Sequence, residues 1–382
     1  MPFDFDSLPA PRGHGGNKWD RYPEDVIPLW VAAMDFPAPP AVLAALRGRL
    51  DHPVLDYGSA TPALREAILA HLETRYGWRV EAEALVFLPG VEPGFNMALR
   101  AFLQPGEGVM VQTPAYRPML AAPGHWGLRR LDLPLSPATG GHAPDMDAFR
   151  AAAAEARAFL LCNPHNPLGT AFTAAELGAM AEACLARDVL IISDEIHADL
   201  LFDGRRHVPV ASLAPEIARR SITLMSASKG YNIAGLKAAF AVVPDPELRA
   251  RFQATRLGMV DSVNVLGLAA MRGAYAGGLP WLEAVLPYLQ ANRDHLVRRV
   301  ARDLPGLTMQ GPDGTFLAWL DARGSGLADP ATHFLETARV ALSDGAEFGA
   351  PGFLRLNFGC ARATLDAALD RMAASLPPSP VP

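Results

Sequence analysis

The chain has 382 residues, half of them hydrophobic, with 19% charged and a formal net charge of −6. That length exceeds what one core usually supports, so two lobes are expected, and the apolar content excludes a disordered protein. The acidic balance argues against a nucleic-acid partner, and no apolar window approaches the ~20 residues of a membrane span.

Residues 1–45 are proline-rich and irregular around Trp30–Phe36, the pattern of a segment that drapes over another surface. From Thr61 the text alternates. Ala63–Tyr76 carries Leu64, Ile68 and Leu72 at helical spacing. Apolar runs predict strands at Ala84–Leu88, Gly108–Gln112, Phe159–Cys162, Val189–Ser193, Ile222–Ser226 and Ala238–Val243. Helical stretches separate several of them, notably Ala174–Arg187, with Thr173 and Glu176 spaced as a capping box. Such alternation predicts a largely parallel sheet covered on both faces. Trp281–Asp303 reads as one long helix, and Thr315–Asp321, Val340–Leu342 and Phe353–Phe358 as strands of a smaller α+β lobe. The helix Ala363–Ala374 closes it, and Ser375–Pro382 is expected to be loose.

The opening MPFDFDSLPAPRG lacks the basic start and apolar core of a signal peptide. Cys162, Cys184 and Cys360 are odd in number and widely spaced, which suggests neither disulfides nor a zinc site. A reduced cytoplasmic setting, with no membrane and no metal, is the expectation.

Ligands of open α/β sheets sit at the carboxyl ends of the strands, so the polar residues after each apolar run hold the interest. Of 34 basic residues only Lys18, Lys229 and Lys237 are lysines, two of them eight residues apart. Lysine, unlike arginine, supplies a neutral amine once its pKa falls. Ser226-Ala227-Ser228-Lys229 follows a strand; it is either a solvated loop or a phosphate-binding turn with a Schiff-base lysine. Asp194 ends another strand, either as a cap or as the partner of a protonated pyridine nitrogen, and His197 lies within reach of the same space.

Asn163-Pro164-His165-Asn166-Pro167-Leu168-Gly169 dictates a rigid loop, a plain turn or one presenting the Asn166 amide to a ligand. Arg355, inside an apolar strand, needs a carboxylate partner from a substrate or from an internal salt bridge. Gly90-Val91-Glu92 opens a helix whose free N–H groups favour a phosphate. Tyr116 stacks on a flat ring or packs in the core. No GxGxxG follows any strand, against a dinucleotide fold.

Taken together, these residues resemble fold-type I pyridoxal-phosphate enzymes of the class I/II aminotransferase family, from about Asp4 to Ala374. The specific parts are the SxSK segment with Lys237 after it, the Asn-Pro-x-Gly loop, the Asp-Glu-Ile-His string and the late Arg355. Lys18-Trp19-Asp20, Leu29–Phe36, Tyr231–Leu236, Leu317–Asp321 and Arg355–Arg362 resemble its cystathionine β-lyase (C–S lyase) branch.

The resemblance implies an aspartate-aminotransferase fold: a large, mostly parallel seven-stranded sheet domain and a smaller α+β domain. The expected division is an N-terminal segment 1–45, a cofactor domain 46–280 and a small domain 281–382.

It implies that Lys229 bonds pyridoxal phosphate and moves the substrate proton, and that Asp194 pairs with the ring nitrogen. Asn166 and His197 lie near the ring oxygen, and Tyr116 stacks on the ring. Ser226, Ser228, Lys237 and the backbone of Val91 and Glu92 hold the phosphate. Arg355 grips the α-carboxylate, with Asn166, Ala33 and Tyr57 also toward the substrate; Tyr57 reaches the phosphate of a neighbouring subunit in a homodimer with shared sites.

Ala33, Leu168 and Ala361 depart from the branch, which usually has aspartate, threonine and proline there. The implied reaction is β-elimination from cystathionine or a cysteine S-conjugate, giving a thiol, pyruvate and ammonia. Transamination to a 2-oxo acid is the alternative, and a cofactor-binding regulator with little catalysis is a third reading.

Overall fold

The computed structural model describes residues 3–138 and 141–377. Its largest element is an eight-stranded sheet, ordered Leu85–Leu88, Ala239–Val242, Ser221–Met225, Leu190–Asp194, Ala156–Cys162, Gly108–Thr113, Arg129–Ala138 and Gly141–Pro144. The five strands from Ser221–Met225 to Arg129–Ala138 run parallel. Ala239–Val242 is antiparallel to both its neighbours, and Gly141–Pro144 is antiparallel to Arg129–Ala138.

The expected mostly parallel sheet is therefore present, one strand wider than seven. Arg129–Ala138 and Gly141–Pro144 escaped the sequence reading because RRLDLPLSPA alternates in exposure rather than forming a continuous apolar run. A one-sided strand at a sheet margin leaves that weaker trace.

The central strands alternate strictly between two cores. Phe159, Leu161 and Ile191 pack on one face with Phe149, Leu177 and Met180, whereas Leu160, Cys162 and Ile192 pack on the other with Phe95, Leu99 and Phe252. Period-2 side-chain direction in a sheet covered by helices on both faces requires this arrangement. Thr173 and Glu176 form the predicted capping box at the start of the helix Ala174–Leu185.

A second sheet is ordered Thr308–Met309, Leu317–Asp321, Phe353–Asn357 and Ser343–Asp344, all antiparallel. It shares a core with the 25-residue helix Leu279–Asp303 and the helix Arg362–Ser375. Val340–Ala341 does not join this sheet; it pairs with Ile27–Pro28 in a separate two-stranded parallel ladder. That ladder ties the N-terminal segment to the smaller sheet. The expected loose tail from Ser375 onward falls mostly outside the described residues.

Among the described residues, no helix is long and apolar enough to cross a membrane. Cys162, Cys184 and Cys360 are free and buried.

Candidate active site

A cavity of about 520 Å³ opens at the carboxyl ends of the parallel strands, within the size range of small-molecule sites. Strand register builds its floor: Cys162 and Asp194 stand side by side at the ends of two adjacent strands, and Leu224 of the next strand pairs with Asp194. Val91, Glu92, Tyr116, Asn166, Asp194, His197, Ser226, Ser228, Lys229, Lys237 and Arg355 all line the cavity. Sequence positions separated by more than 260 residues thus meet in one space.

The Ser226 hydroxyl caps the short helix Ala227–Gly230, accepting from Ser228 N at 3.0 Å and donating to Ala238 O at 2.6 Å. The Ser228 hydroxyl lies 2.8 Å from it. Lys237 ends the next turn in the left-handed region at φ 48, and Asn232 precedes it at φ 52. Strained backbone of this kind persists where its surroundings hold it, commonly at functional sites. Across the cavity, the helix Val91–Phe102 begins after Gly90 with no side-chain cap, so its first N–H groups remain available to an anion. Two hydroxyls, an ammonium and a helix N-terminus make a cradle suited to a phosphate.

Asp194 is 5% exposed and accepts one backbone hydrogen bond, from Ile196 N at 3.1 Å. Burial pushes its pKa up to about 7, the Ile196 N–H and the charge of Lys229 opposing. A buried carboxylate with a single neutral donor is poised to receive a cation. Its neighbour Glu195 is locked from behind by Ser193 Oγ (2.9 Å), His207 Nε2 (2.6 Å) and Val210 N (3.0 Å).

Lys229 Nζ donates to the carbonyl of Ala32 at 2.6 Å. Burial lowers its pKa to about 8, helped by the charge of Arg355 and opposed by Asp194. His197 is buried, and loss of solvent holds it well below the ordinary histidine range; Lys229 and Arg355 add to this. Its Nδ1 has no partner, and Phe316 packs on the ring edge-on at 6.0 Å. Burial raises the Tyr116 phenol to about 12, with Glu92 and Asp194 contributing.

Arg355 lies in the strand Phe353–Asn357, 6% exposed. Its Nη1 donates to Asn166 Oδ1 at 3.1 Å, and its Nη2 to Trp30 O at 2.8 Å and Ser343 Oγ at 3.2 Å. The guanidinium sits 4.7 Å over the Phe348 ring, and its Nε has no partner. None of these contacts is a carboxylate, so the internal salt bridge that competed as an explanation is not formed among the described residues. Burial lowers its pKa to about 10.

The loop carrying Asn166 is held by His165 N to Thr170 O and Gly169 N to His165 O, both 2.7 Å. Gly169 is needed there: its φ is 69, and a Cβ would meet Pro312 Cβ at 2.3 Å. Leu168, the departure noted in this loop, is buried in the core on one face of the large sheet.

The segment Trp30–Phe36 is a strap that borders the cavity at Val31 and Ala32 and is held mainly through its carbonyls, with Met34 N donating to Asn232 Oδ1 and Asp35 N to Gly359 O. Asn357 Nδ2 donates to Val31 O and Ala33 O, each at 2.7 Å. Asn232 Nδ2 donates to Met34 O (3.1 Å) and Phe36 O (2.6 Å). Lys18 reaches Ala33 O at 3.0 Å and pairs with Asp35 at 2.9 Å.

Val31 and Ala32 line the cavity; Ala33 does not, and its carbonyl serves Lys18 and Asn357 instead. Asn357, Asn232, Ser343 and Cys162 were given no role from sequence. An asparagine at a strand end or in a turn looks the same whether it caps itself or holds a segment 200 residues away.

Tyr57 is 92% exposed and lies elsewhere, on a groove formed with residues of the helices Pro40–Leu50 and Val265–Gly277. It does not reach the cavity of its own chain.

The chain is 36% identical to the cystathionine β-lyase PatB of Bacillus subtilis over 98% of this chain and 100% of that protein. Among solved structures, OvoB matches with a TM-score of 0.95 at 43% identity, covering 98% of this chain and 99% of that one. Cystalysin from Treponema denticola, whose structure contains a pyridoxal 5′-phosphate cofactor, matches with a TM-score of 0.94 at 27% identity, covering 98% and 99%. The sequence pattern of aminotransferase class I and II matches residues 24–372. With that match spanning nearly the whole chain, the protein belongs to the aminotransferase class I and II family.

Proposed function

We propose that this chain is a pyridoxal-phosphate-dependent carbon–sulfur β-lyase, cleaving cystathionine or a cysteine S-conjugate to a thiol, pyruvate and ammonia. The observation that carries the reading is one cavity holding a desolvated Lys229 amine, an unpaired Asp194 carboxylate and an Arg355 without an acidic partner. The full-length likeness to PatB favours lyase over transaminase.

The residues present fit the cofactor. Orphaned buried atoms, Arg355 Nε and His197 Nδ1, border a phosphate cradle and a carboxylate in want of a cation. When bound, pyridoxal phosphate supplies an aldehyde for amine capture and an electron-withdrawing ring that stabilises negative charge at the substrate α-carbon.

Ser226, Ser228, Lys237 and the N–H groups of Val91 and Glu92 would hold the phosphate. Asp194 would hold the proton of the ring nitrogen. Tyr116 would pack on the ring, and Asn166 and His197 would serve the ring oxygen.

Arg355 takes the substrate α-carboxylate through its planar fork, with Asn166 beside it. Lys229 removes the proton from the substrate α-carbon, a task for which an amine with pKa near 8 is suited. The strap Trp30–Phe36 borders this chemistry and limits access of water.

The working unit is a homodimer in this reading, and the chain divides into a segment 1–45, a cofactor domain 46–280 and a small domain 281–382. Leu50, Val54, Leu55 and Tyr57 are each more than half exposed within eight residues of chain, an apolar surface suited to a second copy. Tyr57 then serves the phosphate of the partner's site. Sedimentation at micromolar concentration tests this: a stable monomer contradicts it.

The activity is tested by supplying cystathionine with no 2-oxo acid acceptor. A lyase releases pyruvate continuously, whereas a transaminase releases none and stops after one half-reaction, one equivalent of the 2-oxo acid of cystathionine per site.

A further inference from the structure

Asp194 reaches the cavity from a short turn whose middle residue, Glu195, does not line it. Side chains alternate here as strand geometry requires: Asp194 and Ile196 face the cavity, whereas Ser193 and Glu195 turn away and meet each other, both buried. The Asp194 carboxylate takes its one hydrogen bond from Ile196 N at 3.1 Å, an aspartate bonding the backbone two residues on. Glu195 stands between donor and acceptor, so the orientation of that carboxylate depends on how Glu195 is held.

Glu195 is held firmly. Its Oε1 accepts from Ser193 Oγ at 2.9 Å and from Val210 N at 3.0 Å, and its Oε2 pairs with His207 Nε2 at 2.6 Å. Its own N–H donates to Leu224 O of the neighbouring strand at 2.9 Å. His207 is braced in turn by the ring of Tyr76, edge-on at 5.3 Å, from the end of the helix Pro62–Tyr76. A buried carboxylate is costly unless its oxygens are satisfied, and here both are. Backbone and side chain of one residue are thus tied to separate segments, directly behind the group that faces the cavity.

We propose that Glu195 is the positioning residue for Asp194. Its hold on His207 and Val210 fixes the Ile196 N–H, and through it the carboxylate that serves the ring nitrogen. This rests on the pyridoxal-phosphate reading above and is independent of which substrate bond is cleaved.

The test is a double-mutant cycle with two readouts. One is the affinity of cofactor-free protein for pyridoxal phosphate; the other is the nitrogen-15 resonance of ring-labelled cofactor, which reports the proton on the ring nitrogen. Glu195→Leu is expected to weaken affinity about 10- to 100-fold, the scale on which a misplaced group acts. It should also move the resonance toward the neutral ring, as Asp194→Asn does. In the Asp194→Asn background the same change should cost no more than about twofold in affinity, because the group it positions is already lost. Glu195→Gln keeps the side-chain length and an oxygen for Val210 N, and should recover most of both effects. If Glu195→Leu does not fold, Glu195→Asp, a methylene too short to reach both His207 and Val210, replaces it in the cycle.

An equal loss in both backgrounds, or a ring-nitrogen resonance unmoved by Glu195→Leu or Glu195→Asp, overturns the assignment and leaves Glu195 as a stabilising group of the fold. If the unaltered protein takes up no cofactor, the assignment falls together with the cofactor reading. If it takes up cofactor but cleaves no conjugate, only the lyase reading fails, and the cycle still decides Glu195.

Discussion

The amine of Lys229 donates a 2.6 Å hydrogen bond to the carbonyl oxygen of Ala32, two residues separated by 197 positions in sequence. The lysine comes from a turn at the end of a large-sheet strand, and the carbonyl from the N-terminal strap. Around this contact the strap is fastened by asparagines of both sheets' neighbourhoods, so the strap and the lysine share one hydrogen-bond network.

The desolvated state of Lys229 sets a pH dependence for cofactor attachment. Only the neutral amine attacks an aldehyde. With its pKa lowered to about 8 by burial, about one amine in ten is neutral at pH 7, against roughly one in 2,500 for an ordinary lysine. Covalent loading of cofactor-free protein, trapped by borohydride at each pH, should rise as pH increases and level off above a midpoint near 8. A midpoint near the ordinary lysine value of about 10.4 would mean that the amine is not desolvated.

Asp194→Asn keeps the shape of the floor and its hydrogen-bonding capacity but removes the negative charge that holds a ring-nitrogen proton. Turnover should fall by a factor on the order of 100 or more, as when an electrostatic stabiliser is lost from a dry site. Single-turnover kinetics should assign the loss to α-proton removal rather than to substrate binding.

Arg355→Lys retains the charge and loses the fork. Asn166, Trp30 and Ser343 all take hydrogen bonds from the two Nη atoms, geometry that one ammonium cannot reproduce. Removing a charged hydrogen bond costs about 1.5–3 kcal/mol, so KM should rise roughly 10- to 100-fold. Amines lacking a carboxylate should show no comparable change in binding.

Much of this site was legible before the fold was known. Strand ends followed by Asp194, Asn166, Ser226 and Lys229 pointed to the cavity because apolar runs mark buried parallel strands, and ligands gather at their carboxyl ends. The rest was illegible for a definite reason. Asn357 and Asn232 act on main-chain carbonyls of the strap, and a carbonyl has no residue identity to read. Arg129–Ala138 was missed because one of its faces is solvated, and the extent of the N-terminal strap because nothing in Trp30–Phe36 repeats at a regular period.

Asn357→Leu, close in volume, removes the amide that donates to Val31 O and Ala33 O and accepts from Gly359 N at 2.7 Å. Val31 O keeps Ala33 N and Ala33 O keeps Lys18, but the buried Gly359 N–H is left without a partner. The expected loss of stability is about 1–3 kcal/mol, the desolvation cost of a stranded buried donor. Denaturant unfolding and KM should move together, since the strap both packs on the smaller sheet and borders the cavity. A fall in stability with KM unchanged would detach the strap from substrate binding.

The most direct test uses the chain's scarcity of lysine: only Lys18, Lys229 and Lys237 are present. Protein loaded with pyridoxal phosphate, reduced with borohydride and digested should carry the cofactor on Lys229 alone. Lys229→Ala should take up the cofactor without covalent attachment and release no pyruvate from cystathionine. A label on Lys18 or Lys237, or continued turnover by the variant, would contradict the assignment.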